Sequence, residues 1–109
     1  MNMTHEEEIF ILESSIITTL KMIFDPEIPV NIYELGLIYK IDIDANNNVE
    51  ITMTLTSPNC PMADDLLQEV RDKVKAIENV NKVTIDLVFD PPWTQDMLSD
   101  EAKLDMGLL

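Results

Sequence analysis

The chain has 109 residues, 46% of them hydrophobic, which suits one globular domain over residues 1–109 and excludes a disordered segment. Seven basic against 21 acidic residues give a net charge of −14, with no Lys/Arg cluster, so nucleic acid and anionic membranes are excluded as partners on charge grounds. A single cysteine makes no internal disulfide, the acidic N-terminus is unlike a secretion signal, and no apolar run reaches the roughly 18 residues of a membrane span. The expected location is the cytoplasm.

In chain order, Thr4 and Glu7 form a T-x-x-E capping box that opens a first helix. Ile9, Leu12, Ile16, Leu20 and Ile23 recur at helical spacing, and Asp25-Pro26 is expected to stop the helix, because the residue before a proline leaves the α region. The segment Pro26-Glu27-Ile28-Pro29-Val30 is too rich in proline for a helix or a central strand. Asn31 and Glu34 repeat the capping spacing over one turn, which Gly36 can close.

Two strands with period-two patterns follow. Leu37, Tyr39, Ile41 and Ile43 alternate with Ile38, Lys40 and Asp42. After a hairpin loop, Asp44-Ala45-Asn46-Asn47-Asn48, the residues Val49, Ile51, Met53 and Leu55 alternate with Glu50, Thr52, Thr54 and Thr56. That alternation predicts one buried and one polar sheet face, with Thr52 and Thr54 on the polar side. A second helix carries Met62, Leu66, Val70, Val74 and Ile77 on one stripe. A third strand turns Val83, Ile85, Leu87 and Phe89 inward, and Pro91-Pro92-Trp93 ends it. Ser99 begins a last short helix that Gly107 can cap. The expected fold is therefore a small two-layer α+β domain of order α-β-β-α-β-α, with a three-stranded sheet and its helices on one face. The third strand either lies parallel beside the second or pairs elsewhere, and periodicity does not choose.

The lone cysteine, Cys60, falls in the turn Ser57-Pro58-Asn59-Cys60-Pro61, between a strand and a helix. Pro61 suits the first helical position, which makes Cys60 the expected N-cap, facing unpaired N–H groups and the positive end of the helix dipole. Such a place favours the thiolate, which is both a nucleophile and a soft-metal ligand. Asp64 and Asp65 follow within about one helical turn and oppose that ionisation. The alternative is that Cys60 acts as a small buried hydrophobe. Asp25, Glu27 and Glu34 gather carboxylates in a proline-bounded loop, either an oxygen-rich patch for a metal or a basic partner, or capping groups on a solvated face. Trp93 is either a partner anchor or a lid on the core. His5 stands alone near the N-terminus, and with one His and one Cys no zinc-finger spacing can be built. Gly36 and Gly107 are the only glycines, too few for a phosphate loop, and a Ser-His-Asp set cannot be assembled around His5.

The run Asp25-Pro26-Glu27-Ile28-Pro29-Val30-Asn31-Ile32-Tyr33-Glu34-Leu35-Gly36-Leu37-Ile38-Tyr39 resembles the signature opening of the SufT/PaaD-type domain. Two further segments share the likeness: the Thr-rich strand leading to Cys60-Pro61, and the strand that ends in Pro91-Pro92-Trp93 before a terminal helix. The family serves iron–sulfur cluster assembly and includes a component of the eukaryotic cytosolic targeting complex. The resemblance implies a non-enzymatic auxiliary factor in cluster assembly or delivery to apoproteins, with Cys60 as its functional thiol. It implies cofactor contact through Cys60, the motif cysteine, and Asp25 and Glu27 match the conspicuous acidic positions of the opening motif. Together with the residue readings above, the expected metal contacts are Cys60, Asp25 and Glu27, and the expected partner contacts Asp25, Glu27, Glu34 and Trp93. Scaffold or client apoproteins are the implied partners. The PaaD branch carries an additional cysteine-rich C-terminal segment that is not in this chain, so the short assembly-factor branch is the better match.

Fe–S clusters take four thiolates as a rule, and this chain offers one. Either two subunits, as a homodimer, share a transient cluster with help from other ligands, or the protein is an adaptor that holds none. A thiol enzyme is the remaining alternative, disfavoured because no basic residue or second cysteine lies nearby in sequence to activate or resolve the thiol.

Overall fold

The structure, a computed structural model, describes residues 4–57 and 63–108. Its elements run α1 (His5–Leu20), β1 (Ile38–Ile43), β2 (Asn48–Met53), α2 (Ala63–Lys75), β3 (Lys82–Leu87), a 3-10 turn (Gln95–Met97) and α3 (Asp100–Asp105). This is the α-β-β-α-β-α order that the periodicities predict.

At the start of α1, Thr4 Oγ1 accepts a hydrogen bond from the Glu7 N–H at 3.2 Å, and Leu12, Ile16 and Leu20 form its buried stripe. The helix ends at Leu20, before the Asp25-Pro26 stop. Near its end the Thr18 and Thr19 hydroxyls donate back to the Ser14 and Ser15 carbonyls, a pattern that weakens and bends helices. The chain then turns, so that Phe24 bridges Asn31 and the Ile23 carbonyl accepts from the Ile32 N–H at 2.8 Å. Ile23 keeps its place in the core, outside the helix.

The sheet order is β1-β2-β3. β1 and β2 form an antiparallel hairpin, while β2 and β3 are parallel and joined through α2, which settles the pairing of the third strand. The inner face carries Ile41, Val49, Ile51, Met53 and Ile85 against α1 and α2, and the outer face shows Lys40, Asp42, Glu50, Thr84 and Asp86 to solvent. From α2, Leu66, Val70 and Val74 close the core.

Three strand expectations are corrected. The register shifts between Ile38 and Lys40, leaving Tyr39 as the extra residue of a bulge. Ile38 therefore stands opposite Met53 and packs on the core, in the place that unbroken alternation gives to Tyr39. Thr54 is fully buried, not on the polar face. Pairing in β2 ends at Met53, and Met53, Thr54 and Leu55 are all buried, so the chain is covered on both sides there. Phe89 is 43% exposed, because β3 ends at Leu87 and period two does not extend beyond the ladder. Residues 58–62 lie outside the described residues, and with them the expected Cys60 N-cap, Pro61 and the Met62 contact.

Candidate functional site

The three segments that carry the family likeness meet at one end of the sheet. Ile38 at the start of β1, Met53 at the end of β2 and Leu87 at the end of β3 are neighbours across the ladders. Just beyond them the Thr54 N–H donates to the Leu37 carbonyl at 2.9 Å, and the Val88 N–H to the Met53 carbonyl at 2.8 Å. The strand leading toward Cys60 thus leaves the sheet against the close of the acidic loop and beside the exit of β3. Cys60 itself lies outside the described residues, between Ser57 and Ala63 in the chain.

The acidic loop is rigid for reasons visible in its residues. Asp25 is 6% exposed, and its Oδ1 accepts from the Glu27 N–H at 2.8 Å and the Ile28 N–H at 3.0 Å. That carboxylate satisfies the backbone of a segment in which two prolines remove donors. Glu27 is exposed at the loop tip. Asn31 Oδ1 accepts from the Glu34 N–H at 2.9 Å, the single capped turn that the spacing predicts, and Gly36 closes it at φ +86°. Glu34 pairs with Lys21 at 3.5 Å, and the Lys21 ammonium lies 5.4 Å from the Tyr33 ring centroid. So Asp25 acts as a backbone cap, Glu34 as half of an ion pair, and Glu27 alone faces solvent freely. Among the described residues no three His, Asp or Glu side chains gather as a metal site, and His5 is exposed at the start of α1.

The C-terminal segment is strapped across this loop. Trp93 is half-buried against the core and donates its indole N–H to the Leu35 carbonyl at 2.7 Å, the arrangement of a lid. The Tyr39 hydroxyl donates to the Pro91 carbonyl at 2.7 Å, and the Ser99 N–H to the Glu34 carbonyl at 2.8 Å. At Gly36 the approach is tight enough that a Cβ would stand 2.3 Å from the Met97 carbonyl oxygen. Sequence reasoning missed Met97, the Tyr39 hydroxyl and the burial of Thr54. A single glycine in an otherwise glycine-poor segment is the signal that marks a close backbone approach.

What these contacts define is a small α+β domain that presents a braced acidic loop beside the end of β2 in a β-α-β unit. A sequence profile for the family described as iron–sulfur cluster assembly protein matches residues 13–87. The chain belongs to that family. A protein of Porphyromonas gingivalis named Fe-S protein maturation auxiliary factor is 52% identical over 97 residues, covering 89% of this chain and 92% of the relative. The Staphylococcus aureus protein named Fe-S protein maturation auxiliary factor SufT is 37% identical over 87 residues, covering 80% of this chain and 99% of its own. Among solved structures, a domain of unknown function from Bacillus anthracis superposes with a TM-score of 0.85 at 36% identity, covering 92% of this chain and 95% of that one.

Proposed function

We propose that this chain is an auxiliary factor in the maturation of iron–sulfur proteins, acting in the cytoplasm through contact with a cluster scaffold or client apoproteins, and not as an enzyme. The observation that carries this reading is the meeting of three family segments at one end of the sheet in a chain of this family. The names of the relatives support the same role. No helix among the described residues is long and apolar enough to cross a membrane, which fits this setting.

Cys60 is the residue on which the thiol-dependent form of this reading depends. The cluster is cargo, and one thiolate per chain serves to hold it only transiently or together with a second copy. Asp25 is buried with its Oδ1 engaged by the Glu27 and Ile28 N–H groups, whereas Glu27 is exposed and the better placed of the two to meet a metal or a basic partner. The test is genetic and enzymatic. In a cell lacking the wild-type protein, Cys60→Ser should fold yet leave Fe–S enzyme activity unsupported. Full rescue by the serine variant would replace the thiol-dependent reading with that of an adaptor working through the Asp25–Tyr39 surface.

A further inference from the structure

On the reading of this chain as an assembly factor, we infer that the groove between the 24–31 loop and α3 is a docking site for a partner segment that presents an apolar side chain flanked by lysine or arginine. The groove has a volume of about 490 Å³. Val30 and Ala102, both buried, form its floor, and the exposed Phe24 (57%) and Met106 (38%) line it. Large side chains that remain in water beside a recess are a surface ready to be covered.

Charge selects the occupant. Glu34, Glu101 and Asp105 also line the groove, and no lysine or arginine does. Glu34 is paired with Lys21, but neither Glu101 nor Asp105 has an ion-pair partner among the described residues. An apolar recess edged by carboxylates in a chain of net charge −14 complements a cationic segment with an apolar centre and repels an acidic one. A second copy of this chain would bring the same carboxylates against one another, which disfavours self-association through this face.

Both walls are held in place before any partner arrives. Phe24 is anchored by its bridge to Asn31, and the Asp25 N–H donates to the Val30 carbonyl at 3.3 Å. α3 is fixed by Ser99, whose Oγ accepts from the Ala102 N–H at 3.1 Å and whose N–H reaches the Glu34 carbonyl. A preformed groove spares the ordering cost that a flexible surface would pay on binding.

The experiment uses the whole chain and three fluorescein-labelled peptides. One has Leu-Phe flanked on each side by Lys-Arg, one keeps Lys-Arg around Gly-Ser, and one has Leu-Phe flanked by Glu. Polarisation should show binding of the first, with the other two weaker by about tenfold or more, as for loss of one central contact. Amide NMR shifts should fall on Phe24, Val30, Ala102 and Met106. Phe24→Ser, and separately Glu101→Gln with Asp105→Asn, should each weaken the first peptide by about tenfold while leaving the remaining amide spectrum in place. Equal binding of the Gly-Ser peptide, or of the Glu-flanked one, would overturn the proposal, as would shifts mapping elsewhere. Concentration-dependent shifts at the same four residues without peptide would assign the face to a second copy and overturn it as well. The measurement involves neither a cluster nor Cys60, so its failure is separable from a failure of the maturation role.

Discussion

Two residues in this domain occupy positions whose chemistry is set by neighbours distant in sequence. Gly36 has φ +86°, and an added Cβ would lie 2.3 Å from backbone oxygen. Left-handed backbone costs a residue with a side chain about 1–2 kcal/mol, and forcing the strap away from the loop adds about 1–3 kcal/mol. Gly36→Ala should therefore lower the urea midpoint substantially at unchanged m-value, and a midpoint equal to wild type would mean that the Met97 contact is not as drawn. Thr54 presents the opposite case. It is fully buried, and among the described residues its hydroxyl has no hydrogen-bond partner. An unmade buried hydrogen bond costs about 1–3 kcal/mol, so Thr54→Val, which keeps the shape and removes the oxygen, should raise the urea midpoint. A loss of stability on that substitution would show that the hydroxyl is satisfied in solution.

At the level of elements, the β1–β2 hairpin is organised by one carboxylate. Asp44 Oδ1 accepts from the Asn46 N–H at 2.8 Å and the Asn48 N–H at 2.9 Å, and Oδ2 from the Asn48 side-chain amide at 2.9 Å. The Asn48 side-chain bond is the largest of several that hold the Asp44 carboxyl below its ordinary value. A carboxyl whose folded pKa lies below its unfolded one adds stability above the unfolded pKa of about 3.9 and loses it as pH falls through the folded value. Asp44→Asn should consequently lower the urea midpoint at neutral pH, and the gap to wild type should close as the pH is taken below about 4. A gap that persists unchanged in acid would assign the hairpin's stability to the turn conformation alone. In that turn Asn47 adopts φ 61°, which the Asn-rich loop composition anticipates.

Across the whole molecule, what was legible in the sequence is what local periodicity encodes. The α1 stripe, the alternation in β2 and the capped turn at Asn31 depend on residues within a few positions of each other, and the structure has them. The bulge at Tyr39, the burial of Thr54 and the contact of Gly36 with Met97 depend on chain segments that meet only after folding. For the site, the motif residues were legible, but their roles were not. Asp25 reads in sequence as either a ligand or a cap, and in space its Oδ1 caps the Glu27 and Ile28 N–H groups, a choice that the path of the loop makes and local spacing does not. The role of Cys60 rests on ligand arithmetic. If the chain carries a cluster as cargo, one thiolate per chain falls short of the four that such clusters ordinarily take, so the site must be shared. Anaerobic reconstitution with iron and sulfide, followed by native mass spectrometry, should then find the cluster only in a dimer or larger species, and Cys60→Ser should abolish both the cluster and that assembly. Because the net charge of −14 opposes association, the dimer should appear more readily as salt screens the repulsion. A monomer holding a stable four-iron cluster would contradict the ligand count. Reconstitution yielding neither cluster nor dimer would favour the adaptor, in which the braced loop and not the thiol makes the contact.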